Sequence, residues 1–335
     1  MLYVTTRNKD DAYTTYRALV NDNGPDGGFF APFHLPNYDK ESLDGLKDKN
    51  FNQTIAEVLN HFLNLGLDGY DLDLVIGRNL VRVNTIGRRT IFAELWHNLG
   101  GKLAYIEEAL LNKLALKADT KISNSWAGIA VKIAVIFGIY GQMLRDGVTS
   151  ADEPIDFSVF DDAFATIIAL WYCRSMGMPI NMIICTCDES SFLWDFVNRG
   201  TVQTGNVDMG FLIGAEKLLY AAFDHRLVND YLLAVKNNQT YSLSEEALAK
   251  LKRHVFCSVA GKDRAKSVIN SVYRTSEYII DDKTALCYGG LQDFRAKNGG
   301  STPTVILAEN TPCDCLRLIS EATGLDALKI KKLIK

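Results

Sequence analysis

Between Trp126 and Leu144 the chain runs 19 residues with a single charge, Lys132. A run of this length either crosses a bilayer core of about 30 Å or forms the middle of a large folded core. Two features favour the core. Lys132 would sit near the bilayer centre, at about 2.5–3.5 kcal/mol on insertion scales. Asn124 and Ser125 offer N-cap groups before the run, and Arg145 and then Gly147 offer a C-terminal stop. The expectation is a long buried helix and no membrane span. Such a helix needs a large shell, and 335 residues exceed the roughly 250–300 at which single cores stop growing. Two packed units, or one large unit with an appendage, are expected.

The shell is visible as segments of different period. Ile155–Val159, Met182–Cys187 and Thr304–Ala308 are predominantly apolar, broken by Asp156, Ser158 and Thr186, and read as strands in a sheet buried on both faces. Between the first two, Ala163–Met176 reads as a helix ended by Gly177-Met178-Pro179, which makes a βαβ unit with parallel pairing. Phe92–Trp96 and Leu80–Val83 read as strands, Leu103–Lys117 as a helix, and Cys315–Ala322 as a helix closed by Gly324. Nearer the start, Leu2–Thr6 reads as a strand and Asp11–Val20 as a polar helix. Asn23–Gly28 is a turn cluster, and Phe29–Ala31 a short strand stopped by Pro32. Asn52–Asn64 has a helical period, with Ile55, Val58, Leu59, Phe62 and Leu63 on one face, and Leu67–Asp73 reads as a polar loop.

The charge balance excludes several function classes. There are 36 Lys+Arg against 40 Asp+Glu, interspersed, for a net charge of −4. That leaves no basic footprint for nucleic acid or anionic lipid. The opening MLYVTTRNKDD lacks the basic-then-apolar pattern of a secretory signal. Seven cysteines, an odd number, read as reduced thiols. A cytoplasmic protein is expected.

Seven short motifs in chain order resemble the threonine synthase family of fold-type-II pyridoxal-phosphate (PLP) enzymes. Tyr3-Val4-Thr5-Thr6-Arg7 resembles the family's Y-x-S-T-R opening, and Asp26 through Pro32 resembles D-G-G-L-Y-V-P. Glu94-Leu95-Trp96-His97 is similar to E-L-F-H, and Asn124–Ile129 to the helix opening N-S-I-N-W-A-R-I. Ser175 through Ile180 is similar to K-x-M-G-L-P-I. Asp208 through Lys217 keeps the spacing of D-I-x-x-x-S-N-F-E-R, and Asp281 through Ala285 parallels D-P-H-T-A. The resemblance implies an α/β fold of the tryptophan synthase β-like type with a largely parallel sheet. A small N-terminal α/β unit would span 1–88 and a PLP-fold core 89–335.

It also implies a dismantled site. The family's Schiff-base lysine lies in T-L-A-F-K-D, and the matching run Lys102-Leu103-Ala104-Tyr105-Ile106-Glu107 places Ile106 there. An imine needs an amine, which isoleucine lacks. Recruiting Lys102 instead would lose the flanking match. The family's glycine-rich phosphate loop corresponds to a stretch containing Asp161, Asp162 and Ala163. Two carboxylates there would cap the following helix and repel a phosphate. Glu309 replaces a neutral hydroxyl residue near the expected pyridine position, and only 17 residues separate Ile106 from Asn124, where the family inserts a mobile subdomain. The vestigial pocket is thus Tyr105, Ile106, Asp161, Asp162, Ala163 and Glu309, with no catalytic residue and no cofactor expected.

Function follows as an expectation: a pseudoenzyme that binds a small ligand or a protein partner, the partner being its own copy or an active paralogue. The alternatives are an active PLP-dependent lyase on O-phosphohomoserine, and a metal or redox protein. The last would use Cys185, Cys187, Cys313 and Cys315, whose two C-x-C pairs by resemblance both follow strands facing the crevice. Four thiolates would suit Zn²⁺, although C-x-C is not the spacing of a zinc knuckle and buried cysteine is commonly core filler. The five histidines are scattered, and His97 reads as a structural hydrogen-bonder.

Overall fold

The N-terminal segment builds an antiparallel sheet with β1 (Leu2–Thr5) between β2 (Tyr13–Thr14) and β3 (Phe30–Pro32). A computed structural model describes the chain apart from residues 79, 80, 88, 98–102, 161–163, 189, 190 and 335 and the side chains of His97 and Asn206. Helices α1 (Thr15–Val20), α2 (Lys40–Asp44), α3 (Phe51–Leu63) and α4 (Gly69–Ile76) follow. The polar helix expected from Asp11 is shorter than expected, because Tyr13 and Thr14 pair with β1 and Thr14 then caps α1. Leu67–Asp73 is not a loop throughout. Asp68 and Asp71 form a reciprocal capping box that satisfies first-turn N–H groups and starts α4.

The chain then forms β4 (Arg82–Ile86), β5 (Thr90–Glu94), α5 (Leu103–Ala118), α6 (Asn124–Arg145), β6 (Ile155–Phe160), α7 (Ala165–Ser175) and β7 (Ile180–Cys187). The β6–α7–β7 unit is parallel, as its apolar strands require. Leu95 and Trp96, expected in a strand, begin a short 3₁₀ turn instead. Next come α8 (Leu193–Arg199), β8 (Thr201–Gln203), α9 (Met209–Ala222), α10 (His225–Lys236), β9 (Thr240–Ser242), α11 (Glu245–Lys252) and β10 (Val255–Val259). The chain ends with α12 (Lys262–Ser276), α13 (Asp282–Asn298), β11 (Thr304–Ala308), α14 (Leu316–Thr323) and α15 (Ala327–Leu333).

Six strands form the central sheet in the order β10-β7-β6-β11-β5-β4, parallel except for the edge strand β4. Alternation of side chains along each strand sets the layers. Ile91, Ala93, Phe157, Val159, Ile183, Val305 and Leu307 join the large core that holds α3, α5, α6, α7 and α9. Phe92, Ile184 and Ile306 face the opposite way, into the core under α12, α13 and α14. Helix α6 lies in the large core, and 83% of its most apolar window is buried. Its N-cap is Ser123, one residue before the expected candidates. Gly138 lets α3 approach closely, since a Cβ there would stand 2.7 Å from the Phe51 ring.

Two predictions follow from backbone and burial. Gly177 has φ +110°, and a Cβ would lie 2.1 Å from the Tyr38 carbonyl oxygen, beside the Tyr38 N–H to Met176 C=O bond of 2.7 Å. Gly177→Ala is expected to cost about 2–4 kcal/mol by urea denaturation, whereas Gly205→Ala, which meets nothing within 4 Å, should stay within about 0.5 kcal/mol. Equal effects would refute the steric account. Asp281, 1% exposed, caps α13 by accepting from Lys283 and Thr284 N–H, and burial pushes its carboxyl up to about 6 from 3.8. A raised folded-state value contributes stability below pH 3.8 that is lost as pH rises through about 6, a difference on the order of 3 kcal/mol. Asp281→Asn keeps the cap acceptor and removes the charge. The stability difference between parent and variant should therefore swing by that amount between pH 4 and 7, and a pH-independent difference would contradict the assignment.

Candidate functional site

Open parallel sheets bind ligands beyond the carboxyl ends of their strands. Among the described residues that crevice is nearly filled beyond β5 and β11. Leu95 after β5, Leu307 and Glu309 at the end of β11, Leu103 of α5, Thr166 of α7 and the α6 side chains Val135, Ile136 and Ile139 leave about 10 Å³. That is room for about one water. The start of α5 is tied down over the space, because the Leu103 N–H donates to the Glu309 carbonyl oxygen at 3.0 Å. One turn on, Ile106 is 0% exposed inside the large core.

A charged pair separates this filled crevice from an open one. Lys132 reaches out of α6 to the Glu107 carboxylate of α5, with Nζ 2.6 Å from Oε1. Both residues border the filled space and also line an outer cleft of about 360 Å³. Glu108, Asn124, Ser125 and Lys217 bring further polar groups to the outer cleft, and Ala165 at the start of α7 closes one side.

Lys217 enters from α9, and the N-terminal segment sets its position. The neighbouring Glu216 is buried, and its Oε1 accepts from Thr6 Oγ1 at 2.6 Å and from Arg7 Nε at 3.0 Å. Arg7 Nη2 donates to Oε2 at 2.9 Å, completing a bidentate pair. Thr6 Oγ1 in turn accepts from the Phe29 N–H at 3.0 Å, and the Lys217 ammonium lies 4.5 Å from the Phe29 ring centroid. Lys217 Nζ also lies 3.4 Å from Ser125 Oγ. Burial holds this amine below the usual lysine range, against the raising influence of the Glu216 and Asp22 carboxylates.

The residues expected at the site are distributed unevenly. Glu309 borders the filled crevice and Ile106 is core, while Tyr105 is 47% exposed on the outer side of α5. Asp161, Asp162 and Ala163 lie outside the described residues, as do Lys102 and the side chain of His97. The structure does not bring together the four cysteines of the metal alternative. Cys185 and Cys187 are buried in β7, Cys313 is exposed and Cys315 half-buried in a 3₁₀ turn, and β6 lies between β7 and β11. Among the described residues no three His, Cys, Asp or Glu side chains gather to hold a metal. Cys187 Sγ instead faces Cys257 Sγ at 3.6 Å. Lys132 and Lys217 were not anticipated as site residues. The available signal was that Lys132 is the only charge in the long apolar run, so it must reach a partner at the edge of the core.

Residues 2–79 match the family described as threonine synthase N terminus. Human threonine synthase-like 1 is 24% identical over 176 residues, 49% of this chain and 24% of that protein. The Macaca fascicularis protein of the same name is 24% identical over 255 residues, 71% of this chain and 34% of its own length. The chain thus spans about a quarter to a third of these relatives. Threonine synthase of Pseudomonas aeruginosa is 24% identical over 267 residues, 72% of this chain and 55% of that protein. Among solved structures, PLP-bound threonine synthase from Brucella melitensis superposes with a TM-score of 0.79 at 17% identity, covering 100% of this chain and 94% of its own. Yeast threonine synthase superposes with a TM-score of 0.78 at 14% identity, covering 97% and 90%. Residues 2–79 are therefore similar to the threonine synthase N-terminal family, and the chain as a whole has the fold of the threonine synthase structures.

Proposed function

We propose that this chain is a threonine synthase-like protein without PLP chemistry that binds a small polar ligand in the outer cleft between α5, α6 and α9. The observation that carries this is the filled crevice: about 10 Å³ remains beyond the ends of β5 and β11, too little for an aromatic cofactor. The residues present do not fit the group in a second respect. The position that resembles the family's Schiff-base lysine is Ile106, wholly inside the core, and it has no amine to offer. The outer cleft, by contrast, is open and amphoteric: the Lys132–Glu107 pair, Glu108 and Lys217 line about 360 Å³. Such a lining suits a small molecule bearing both acidic and basic or carbonyl groups.

An absorbance scan of the purified chain, before and after addition of PLP, tests the proposal. No aldimine band at about 400–430 nm should form, borohydride should fix no pyridoxyl group on a lysine, and O-phosphohomoserine should release no phosphate. A band whose reduction marks Lys132 or Lys217, or phosphate release, would overturn the proposal in favour of a lyase with a relocated lysine. Restoring the lysine should not restore the cofactor. Ile106→Lys places an unpaired amine at a position with no exposure and is expected to destabilise the fold by about 3–5 kcal/mol by urea denaturation. A stable variant that takes up PLP would show that the crevice opens easily.

A further inference from the structure

We propose that Lys217 is a nucleophilic amine that captures a small aldehyde or 2-oxo acid in the outer cleft as an imine, a covalent deepening of the ligand-binding function proposed above. Four observations converge on it. The residue lines a cleft of about 360 Å³ that is large enough for a molecule of a few carbon atoms. Among the described residues its ammonium makes no ion pair; its contacts are the Ser125 hydroxyl at 3.4 Å and the face of Phe29 at 4.5 Å. By contrast Lys132, on the same cleft, is committed to Glu107 at 2.6 Å. The carboxylate beside Lys217 in sequence, Glu216, is already engaged by Thr6 and Arg7.

Environment favours the neutral form. Burial lowers the affinity of Lys217 for its proton, while Glu216 and Asp22 oppose that effect from the protein side. Among the described residues, Glu107, Glu108 and Lys132 are the charged groups that share the cleft with it. A neutral amine attacks the carbonyl carbon, the C–N bond forms, and the carbonyl oxygen takes up a proton to give a carbinolamine. Loss of that hydroxyl with one proton as water leaves the C=N bond. No oxidant or reductant is consumed. Ser125 Oγ, beside Nζ, is placed to relay the proton between nitrogen and oxygen, and Glu108 is a second proton carrier on the same wall.

The test is reductive trapping at neutral pH with glyoxylate in one arm and propionaldehyde in the other, cyanoborohydride present, and peptide mapping by mass spectrometry. Lys217 should be labelled roughly tenfold faster than the exposed lysines, as expected of an amine that stands in a cleft and whose proton affinity burial lowers. A preference for glyoxylate would identify an oxo acid, and equal rates a plain aldehyde. Labelling should rise through a lower pH than that of the surface lysines, and Ser125→Ala should slow it without changing the thermal midpoint. Lys217→Arg, which keeps the charge and the Phe29 contact, should abolish the fast site and leave slow surface labelling unchanged. Uniform labelling, or a fast site at Lys132, would overturn the assignment. The two proposals fail separately: uniform labelling without a PLP band removes only the imine site, while a PLP band reducible onto Lys217 removes the cofactor-free function and leaves the reactive amine standing.

Discussion

The arrangement of the site depends on one ammonium group in an apolar helix. Lys132 cannot stay inside the core without a counter-charge, because an unpaired buried ion costs several kcal/mol. Its partner is Glu107 on α5, at 2.6 Å. Once α5 lies where Glu107 can reach Lys132, the helical period fixes the rest of that helix. Leu103, Ile106, Leu110 and Leu114 follow the spacing of one face and are buried together. The same placement lays Leu103 over the end of β11 and leaves about 10 Å³ in the crevice. The one charge of the apolar helix therefore also organises the space beyond the ends of β5 and β11.

Strands buried on both faces announce themselves by apolar-rich runs, which is why β6, in spite of Asp156 and Ser158, β7 and β11 and the parallel pairing of the first two were legible from sequence. The helix α6 was legible for the same reason. Segments whose structure rests on local polar bonds were not. α4 begins with Asp68 and Asp71, residues that usually mark loops, and only their reciprocal bonds to backbone N–H groups convert them into a helix start. Thr14 has the same ambiguity, pairing with β1 and capping α1 at once. The strand β10, Val255–Val259, is short and its apolar run is broken by Ser258, which left it unread between two polar stretches.

The site was legible only in its losses. No period or spacing brings α5, α6, α7 and α9 to one cleft, and Lys217 stands 92 residues from the serine it approaches. The motifs that resemble threonine synthase did point to the right segments, but the structure gives many of them a mechanical role. Tyr3 donates to the Phe62 carbonyl at 2.7 Å and accepts from Trp126 Nε1 at 3.0 Å. Asp26 accepts from Thr5 Oγ1 at 2.6 Å and from the Gly28 N–H at 2.9 Å, which shapes the turn before β3. Asp281 caps α13, and Gly177 admits the Tyr38 backbone.

This division separates the groups on which the fold depends from those that line the space beyond the strand ends. The groups that tie the N-terminal segment to α9, Thr6, Arg7 and Glu216, form a polar rim next to Lys217 and line neither the outer cleft nor the filled crevice. Removing a crevice group costs the fold nothing if an apolar side chain takes its volume, as Ile106 does in the core. Removing a rim group would leave a buried carboxylate without its guanidinium, which is far more damaging. Selection for stability alone therefore preserves the rim and permits the crevice to fill. Lys217 sits on the preserved side of that boundary, one residue from Glu216. Its amine is held by interactions the fold needs in any case, so a binding site built on it comes with its geometry already set.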